Sequence, residues 1–354
     1  MCHKYAPYQK VRGFIIETSP NLLTAPGGVT STLDNKLHQE AVKSATQAKF
    51  RGKKTIRSKT TPRFPESAER EFARVTNGYM KILDDVVKKH LPSIMRAYQK
   101  ELAGNIREDD AFDAFDKTRQ EFQKMAQELE RKLSKYGLQS LVEKVARIAR
   151  KSSYRQWKRA CKETLGIDLM DDYYNGDFYE QAIRKWVDEN VLKIKSLPTN
   201  TLGSMQQLVF DGFRNGESTR DIAADIQHEY QTNRHQAQML ARDQISTLNS
   251  QISRLQQEDA GCKRYKWSTS KDSRVRDCHK SLDGKVFSWD DPPEMWYKTK
   301  SGIRYTGRRC NPGQDYMCRC VAIPVFDFES LDVPMQWNGQ QEKEASAKWN
   351  QKNG

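Results

Sequence analysis

The chain is poor in apolar residues and has no long apolar run. Only 36% of its 354 residues are hydrophobic, and the mean hydropathy is -0.88. No apolar segment approaches the roughly 18–20 residues that a membrane-spanning helix needs, and Phe14-Ile15-Ile16 is too short for the apolar core of a signal peptide. We therefore expect neither a membrane span nor a secretory leader. Long, thinly packed helices with much solvated surface fit this composition better than a compact enzyme.

Acidic residues are absent from two stretches of a chain whose net charge is +14. Lys49–Arg63 contains seven basic residues and Lys144–Lys162 contains eight, with no acid in either. Such blocks repel themselves unless an anion screens them, so they favour an anionic partner such as nucleic acid. The alternative is that both are simply solvated. The candidate DNA contacts are Lys49, Arg51, Lys53, Lys54, Arg57, Lys59, Arg63, Arg147, Arg150, Lys151, Arg155, Lys158 and Arg159.

The cysteines do not follow a secreted disulfide pattern. There are seven, an odd number, and five of them lie between positions 262 and 320. This distribution favours a reducing compartment, with metal binding or plain burial as the use of the thiols.

Apolar residues recur with helical spacing from Glu66 onward. Pro92 is expected to kink or split the first helix, and Pro198 to break the chain after a later one. Ser218 and Asn233 are expected to cap two further helices. The expected helices cover about 66–104, 109–136, 138–164, 177–194, 201–215, 219–230 and 234–258.

After Gly261 the apolar period changes to two, which is typical of strands. We expect a strand over 262–267, a short helix over 272–281 capped by Asp272, and a hairpin turn at Asp283-Gly284 leading into a strand over 285–289. A long loop over 290–313 and a last strand over 320–326 follow.

These elements predict a mostly α fold with a small C-terminal α+β domain. Long helices form an N-terminal bundle or stem, preceded by an extended basic arm. The expected parts are the arm over 1–65, the helical bundle over 66–200, the α+β domain over 201–332 and a flexible tail over 333–354.

Rare residue types occur in a fixed order between about 201 and 325. The order is a long helix with Arg and Asn, a Tyr-x-Trp strand, an Asp-x-Arg segment followed by His, a Leu-x-Gly turn, a Pro-Gly loop and Cys-Arg-Cys before an apolar strand. This region resembles the phage Mu F-like domain of minor head (head morphogenesis) proteins. The residues that carry the resemblance are Arg242, Asn249, Tyr265, Trp267, Asp272, Arg274, His279, Leu282, Gly284, Phe287, Pro312, Gly313, Cys318, Arg319 and Cys320.

The resemblance implies a non-enzymatic structural protein of a tailed-phage head. Such a protein would contact the portal protein or the major capsid protein and bind double-stranded DNA without sequence preference. It would aid head assembly and DNA packaging, retention or ejection. Its place would be the virion, in the head interior or neck, and the host cytoplasm during assembly.

The Cys and His residues of this region allow several interpretations. Cys318 and Cys320 are expected on one face of a strand, and with Cys310 and His279 or Cys278 they could form a structural zinc site. The alternatives are cysteines buried as small apolar groups, a hydrogen-bonded histidine, and an Arg319 that pairs with Asp272 or Asp283.

A metal-dependent nuclease or another DNA-processing enzyme is the alternative function. Asp272, Asp277, His279 and Asp283 lie close together in the sequence, and histidine with carboxylates can hydrolyse phosphodiesters with a metal ion. However, local structure already accounts for two of these residues, because Asp272 is expected to cap a helix and Asp283 to form a turn.

Overall fold

The computed structural model describes residues 49–50, 52–102, 116–169, 171–174, 176–215, 217–331, 333 and 335–336. The chain divides into two compact units, one formed by Met1–Lys54 with Trp337–Gly354 and the other by Thr55–Gln336. Most of the first unit, including most of the predicted arm and tail, lies outside the described residues. The unit Thr55–Gln336 contains most of the described residues.

Long helices make up most of this unit, as the sequence predicts. Glycines in the left-handed conformation flank the third long helix, with φ of 68° at Gly137 and 79° at Gly166. Ser218 caps the last long helix, where its side chain accepts the backbone N–H of Asp221. The helices are α1 (Glu66–Leu102), α2 (Asp116–Ser134), α3 (Leu138–Leu165), α4 (Asp171–Tyr174), α5 (Asp177–Arg214), α6 (Thr219–Asp259) and α7 (Asp277–Leu282).

The breaks predicted at Pro198 and before Asn233 are wrong, and Pro92 does not split its helix. Helix α1 continues through Pro92 and α5 continues through Pro198. The segments expected as two helices around Asn233 form the single helix α6, inside which the Asn233 side chain donates to the Glu229 carbonyl at 2.9 Å. In each case apolar residues on both sides of the position pack into the core, and at the two prolines this burial outweighs the lost backbone hydrogen bond.

Two adjacent apolar clusters hold the helices together. The first joins the start of α1, α3, α5 and the second half of α6, and is centred on Phe72, Val145, Trp186 and Ile245. The second joins the rest of α1, α2, the end of α5 and the start of α6. Because α1, α5 and α6 contribute to both clusters, the bundle continues across the boundary predicted near residue 200.

The C-terminal part contains an antiparallel sheet of β1 (Thr55–Arg57), β7 (Val321–Asp327), β3 (Arg264–Ser268) and β4 (Val286–Ser288), in that order. Strand β1 comes from the segment predicted as the end of the arm, with Ile56 opposite Phe326. Residues 55–57 of the predicted arm thus form part of the sheet, because β7 offers this segment an edge for backbone pairing.

Two further strand pairs were not predicted. The expected loop over 290–313 contains a hairpin of β5 (Glu294–Thr299) and β6 (Gly302–Arg309). The start of the expected tail pairs as β8 (Met335–Gln336) with β2 (Asp168–Leu169), which follows α3.

The sheet and the segment that follows β7 pack on the helices. The ring of Trp157 in α3 stacks on Phe326 in β7, with centroids 5.8 Å apart. Gly261, which follows α6, has φ of 77°, and a Cβ added there would lie 1.7 Å from the Ser330 carbonyl oxygen. The close approach of these backbones therefore depends on glycine at position 261.

Candidate metal centre and basic surface

The core of the C-terminal part contains a cluster of one imidazole and two thiols. His279 lies on α7, and its Nδ1 is 3.7 Å from the Cys318 Sγ and 3.6 Å from the Cys320 Sγ. One ligand atom from each of the three residues lies within 4.8 Å of the others. All three residues are buried, with relative exposures of 3% to 4%.

The backbone around Cys318 is fixed by helix α6. The Ser246 hydroxyl donates to the Cys318 carbonyl, and the Met317 N–H donates to Asp243 at 3.2 Å. Gly313, with φ of 86°, lies so close to α6 that a Cβ there would be 2.9 Å from the Ser246 carbonyl oxygen. The Pro-Gly loop and the Cys-Arg-Cys segment are therefore seated directly on the long helix.

Asp315 holds the other side of the His279 ring. Its Oδ2 is 3.1 Å from His279 Nε2, and its side chain is only 4% exposed. Arg276 pairs with the same carboxylate, and Arg308 lies 3.1 Å from its Oδ1. Burial raises the pKa of Asp315, but His279, Arg276 and Arg308 outweigh it and hold the pKa below its usual value.

The sequence did not point to Asp315. It follows the Pro-Gly loop at a position that reads as an ordinary turn residue, and its partners Arg276 and His279 precede it by more than 30 residues. The sequence signal that could have indicated Asp315 was its position between Cys310 and Cys318.

The thiols and the imidazole influence one another. Burial lowers the pKa of His279, but Asp315 and Cys318 outweigh it and raise the pKa to about 9. Cys320 and then His279 lower the pKa of the Cys318 thiol, while burial opposes them. The pKa of the Cys320 thiol is raised, first by Cys318 and then by burial. Cys318 is therefore the thiol that ionises more readily.

Trp267 and Gly284 support the ring of His279. The buried indole of Trp267 meets that ring edge-on, with centroids 5.5 Å apart. The Gly284 N–H donates to the Trp267 carbonyl at 2.8 Å, and its φ of 81° lets the chain turn from α7 toward β4. The predicted turn at Asp283-Gly284 exists, but it ends α7 and does not join two hairpin strands.

Asp272 orders the loop before α7. Its carboxylate accepts the Arg274 backbone N–H at 3.2 Å and pairs with the Arg319 guanidinium. The expected Asp272–Arg319 pair is thus present. The expected helix cap is not, because α7 begins at Asp277 and Arg276 occupies the N-cap position.

Cys278 and Cys310 lie in the same apolar cluster as the other two thiols but outside the group of three ligands. Cys278 Sγ accepts the Trp296 N–H at 3.4 Å. Burial raises the pKa of Cys310 to about 11. Of the five predicted metal ligands, the structure therefore brings three together.

The residues considered for a nuclease do not converge on one point. Among the described residues, the group that could hold a metal ion is His279 with the two thiols, and it includes no carboxylate. Each of the three acids is engaged separately: Asp272 with Arg274 and Arg319, Asp277 with Lys298, and Asp283 with Thr269 and Lys271.

The two basic stretches of the sequence meet in space. The Lys59 N–H donates to the Thr164 hydroxyl at 3.0 Å, and the Gln156 side chain donates to the Arg63 carbonyl at 3.0 Å. The segment after β1 therefore runs along the C-terminal half of α3. We use "basic surface" for the exposed residues Arg57, Lys59, Arg63, Arg147, Lys151, Arg155 and Arg159.

Two predicted DNA contacts are engaged inside the fold. The Arg150 side chain is 14% exposed, pairs with Glu180 and donates to the Tyr174 carbonyl at 3.2 Å. Lys158 pairs with Asp171 at 2.6 Å and is half-buried. Arg150 is therefore a structural residue, because its guanidinium joins α3 to the start of α5.

Four other predicted contacts, Lys49, Arg51, Lys53 and Lys54, belong to the other compact unit. Within it Lys49, Lys53 and Lys54 are exposed, and Arg51 lies outside the described residues.

The β5–β6 hairpin exposes apolar and basic side chains together. Tyr297, Ile303 and Tyr305 have relative exposures of 48%, 57% and 63%. In the register, Trp296 lies opposite Tyr305, and Lys298 lies opposite Ile303. A two-stranded ribbon of this kind has little stability by itself and gains from being covered.

Residues 204–323 match the family model described as "Phage Mu protein F like protein". This segment is thus similar to the phage Mu F-like family, and the resemblance predicted from the sequence is confirmed. The Mu F-like segment contains the His/Cys cluster, Asp315 and the hairpin, whereas the basic surface lies outside it.

An uncharacterized protein of Haemophilus influenzae (strain ATCC 51907 / DSM 11121 / KW20 / Rd) is 33% identical over 166 residues, which is 47% of this chain and 34% of that protein. The aligned region thus spans about a third of the length of this relative. No solved structure matches the chain significantly. Among the described helices, none combines the length and apolar content needed to cross a membrane.

Proposed function

We propose that this protein is a structural minor component of a tailed-phage head that contacts packaged DNA through the basic surface and another head protein through the β5–β6 hairpin. The observation that supports DNA contact is the meeting of the two basic stretches along α3. Distant parts of the chain contribute cations to one exposed face, although like charges repel. An anionic partner would relieve that repulsion.

The shape of the basic surface suits a phosphate backbone. Arg147, Lys151, Arg155 and Arg159 follow one another at four-residue spacing and extend about 18 Å along α3. Among the described residues, no carboxylate pairs with Arg147, Lys151 or Arg155. These three side chains can therefore contact successive phosphates without first giving up an ion pair, and such binding is independent of base sequence.

DNA retardation at several salt concentrations tests this proposal on the full chain. Replacing Arg147, Lys151 and Arg155 with alanine should weaken binding and lower the salt-dependence slope by up to about 2.7, since each lost phosphate contact contributes about 0.9. The matched control replaces Lys124, Arg131 and Lys135, three exposed basic residues in and just after α2. Equal loss of binding in both variants would contradict a DNA contact at the basic surface.

The same assay distinguishes binding from nuclease activity. With Mg²⁺ or Zn²⁺ present, the retarded DNA should remain intact. Cleavage that disappears in a His279→Ala variant would instead support the alternative of a metal-dependent nuclease.

The hairpin supports contact with the portal protein or the major capsid protein. Exposed tyrosines and an isoleucine among basic residues are typical of surfaces that a protein partner covers. An Ile303→Ser/Tyr305→Ser variant should be incorporated into heads less than the wild type, as measured by quantitative mass spectrometry of purified particles. Leu192→Ser changes an apolar residue of α5 that is 67% exposed and should leave incorporation unchanged.

A further inference from the structure

We propose that His279, Cys318 and Cys320 bind one zinc ion through Nδ1 of the imidazole and Sγ of the two cysteines. The three atoms come from α7 and from the two sides of Arg319, and they face one buried point. This assignment is independent of the DNA and head-protein contacts proposed above.

The orientation of His279 is that of a metal ligand. Its Nε2 is held by Asp315 at 3.1 Å, which leaves Nδ1 directed at the two thiols. A carboxylate on the far nitrogen is the usual outer partner of a metal-bound imidazole, because it fixes the ring and increases its basicity. Arg276 and Arg308 in turn hold Asp315, so that the outer partner is itself fixed.

Hydrogen bonds among the buried side chains of His279, Cys318 and Cys320 contribute little stabilisation by themselves. Thiols are weak donors and acceptors, and the sulfur-to-nitrogen distances of 3.6 and 3.7 Å offer weak contacts for a buried imidazole. The indole of Trp267 lies beside Cys320, and its buried N–H makes no hydrogen bond of ordinary geometry among the described residues. A metal-bound thiolate would supply that acceptor.

The donor set selects the metal. Two thiolates and an imidazole suit Zn²⁺, whereas Mg²⁺ and Ca²⁺ prefer oxygen ligands. Nδ1 of His279 and both sulfurs must be free of protons to bind the ion, so that zinc uptake releases the protons that these three groups hold. Because the ligands connect α7 to the segment that leads into β7, zinc would fasten the small α+β part, whose strands are short and whose core is limited.

Metal analysis of the full chain provides the direct test. Protein purified without chelators and then dialysed should contain about one zinc per chain. Cys318→Ser, Cys320→Ser and His279→Gln should each lose most of it. Cys161→Ser and Cys262→Ser alter equally buried thiols outside the cluster and should retain it.

A second measurement addresses variants that fail to fold. Chelation of zinc from the wild-type protein should lower its unfolding temperature, and added zinc should restore it. Replacement by Co²⁺ should give sulfur-to-cobalt charge-transfer absorption that weakens in Cys318→Ser. Wild-type protein that stays folded and takes up no metal on incubation with zinc would overturn the proposal, as would cysteine variants that bind as much zinc as the Cys262→Ser control.

Discussion

The Nε2 atom of His279 lies 3.1 Å from the Oδ2 atom of Asp315, and both side chains are only 4% exposed. This contact joins α7 to the loop that precedes Cys318. A buried carboxylate is costly unless it is paired and hydrogen-bonded, and here the pairing comes from His279, Arg276 and Arg308. We infer that the contact is a main support of the Mu F-like segment.

Replacement of Asp315 by Asn should therefore destabilise the protein. The change keeps the shape but removes the charge, and the loss of charge-assisted hydrogen bonds should cost about 1.5–3 kcal/mol in the free energy of unfolding. Denaturant unfolding measures this cost. The control is Asp291→Asn, since Asp291 also pairs with an arginine, at 2.6 Å from Arg309, but is 75% exposed. Similar costs for the two variants would argue against the special role of the buried pair.

The sequence predicted the elements of the fold better than their boundaries. Helical spacing located the long helices, and the change of period after Gly261 located β3. Proline and capping rules wrongly divided α5 and α6, because local rules do not include the burial of apolar residues on both sides of Pro198 and Asn233. The strand β1 could not be foreseen, because the edge that it pairs with lies about 270 residues further along the chain.

The candidate site was predicted only in part, again because some of its contacts form only in the tertiary structure. Strand alternation predicted that the Cys318 and Cys320 side chains point the same way. Both sulfurs do lie near His279, although the two residues precede β7 and are not part of a strand. Asp315 and Arg276 could not be assigned, because only tertiary structure brings them to the imidazole. In the same way, charge runs indicated the basic surface, but only packing shows that Arg150 turns inward toward Glu180.

Replacement by alanine should have opposite effects on stability at Gly261 and Gly203. At Gly261 the positive φ and the Ser330 carbonyl leave no space for a Cβ, so Gly261→Ala should destabilise the protein by more than the roughly 1–2 kcal/mol of a left-handed residue alone. Gly203 lies exposed within α5 and has nothing within 4 Å of an added Cβ. Gly203→Ala should stabilise by about 0.5–1 kcal/mol. Thermal unfolding tests both variants: the unfolding temperature should fall for Gly261→Ala and rise for Gly203→Ala. A shift in the same direction for both would contradict the prediction.

Truncation should separate the N-terminal segment from the folded unit. A chain that begins at residue 53 retains β1 and the contact of Lys59 with Thr164, and should unfold as cooperatively as the full chain. A chain that begins at residue 66 exposes the edge of β7 and should lose stability. Denaturant unfolding with hydrogen exchange at β7 distinguishes the two. Equal stability would restore the simpler prediction of an arm that extends to residue 65.

Glu128 should make the stability of the helical bundle depend on pH. It joins α2 to α1 through Lys89 at 2.6 Å and His90 at 2.8 Å, and Lys132 lies 3.2 Å away. Hydrogen bonds from Lys89 and His90 are the main cause that lowers the pKa of Glu128 from 4.5 to about 2. Because the folded pKa is the lower one, the contribution to stability is complete above the unfolded pKa and is lost as the pH falls from 4.5 toward 2.

Glu128→Gln should therefore be less stable than the wild type at neutral pH, with a difference that shrinks through this window. Urea unfolding at a series of pH values measures the difference, and Glu130→Gln, an exposed position of the same helix, should show none of this dependence. A difference that stays constant or widens on acidification would show that the ionised Glu128 does not stabilise the α1–α2 contact.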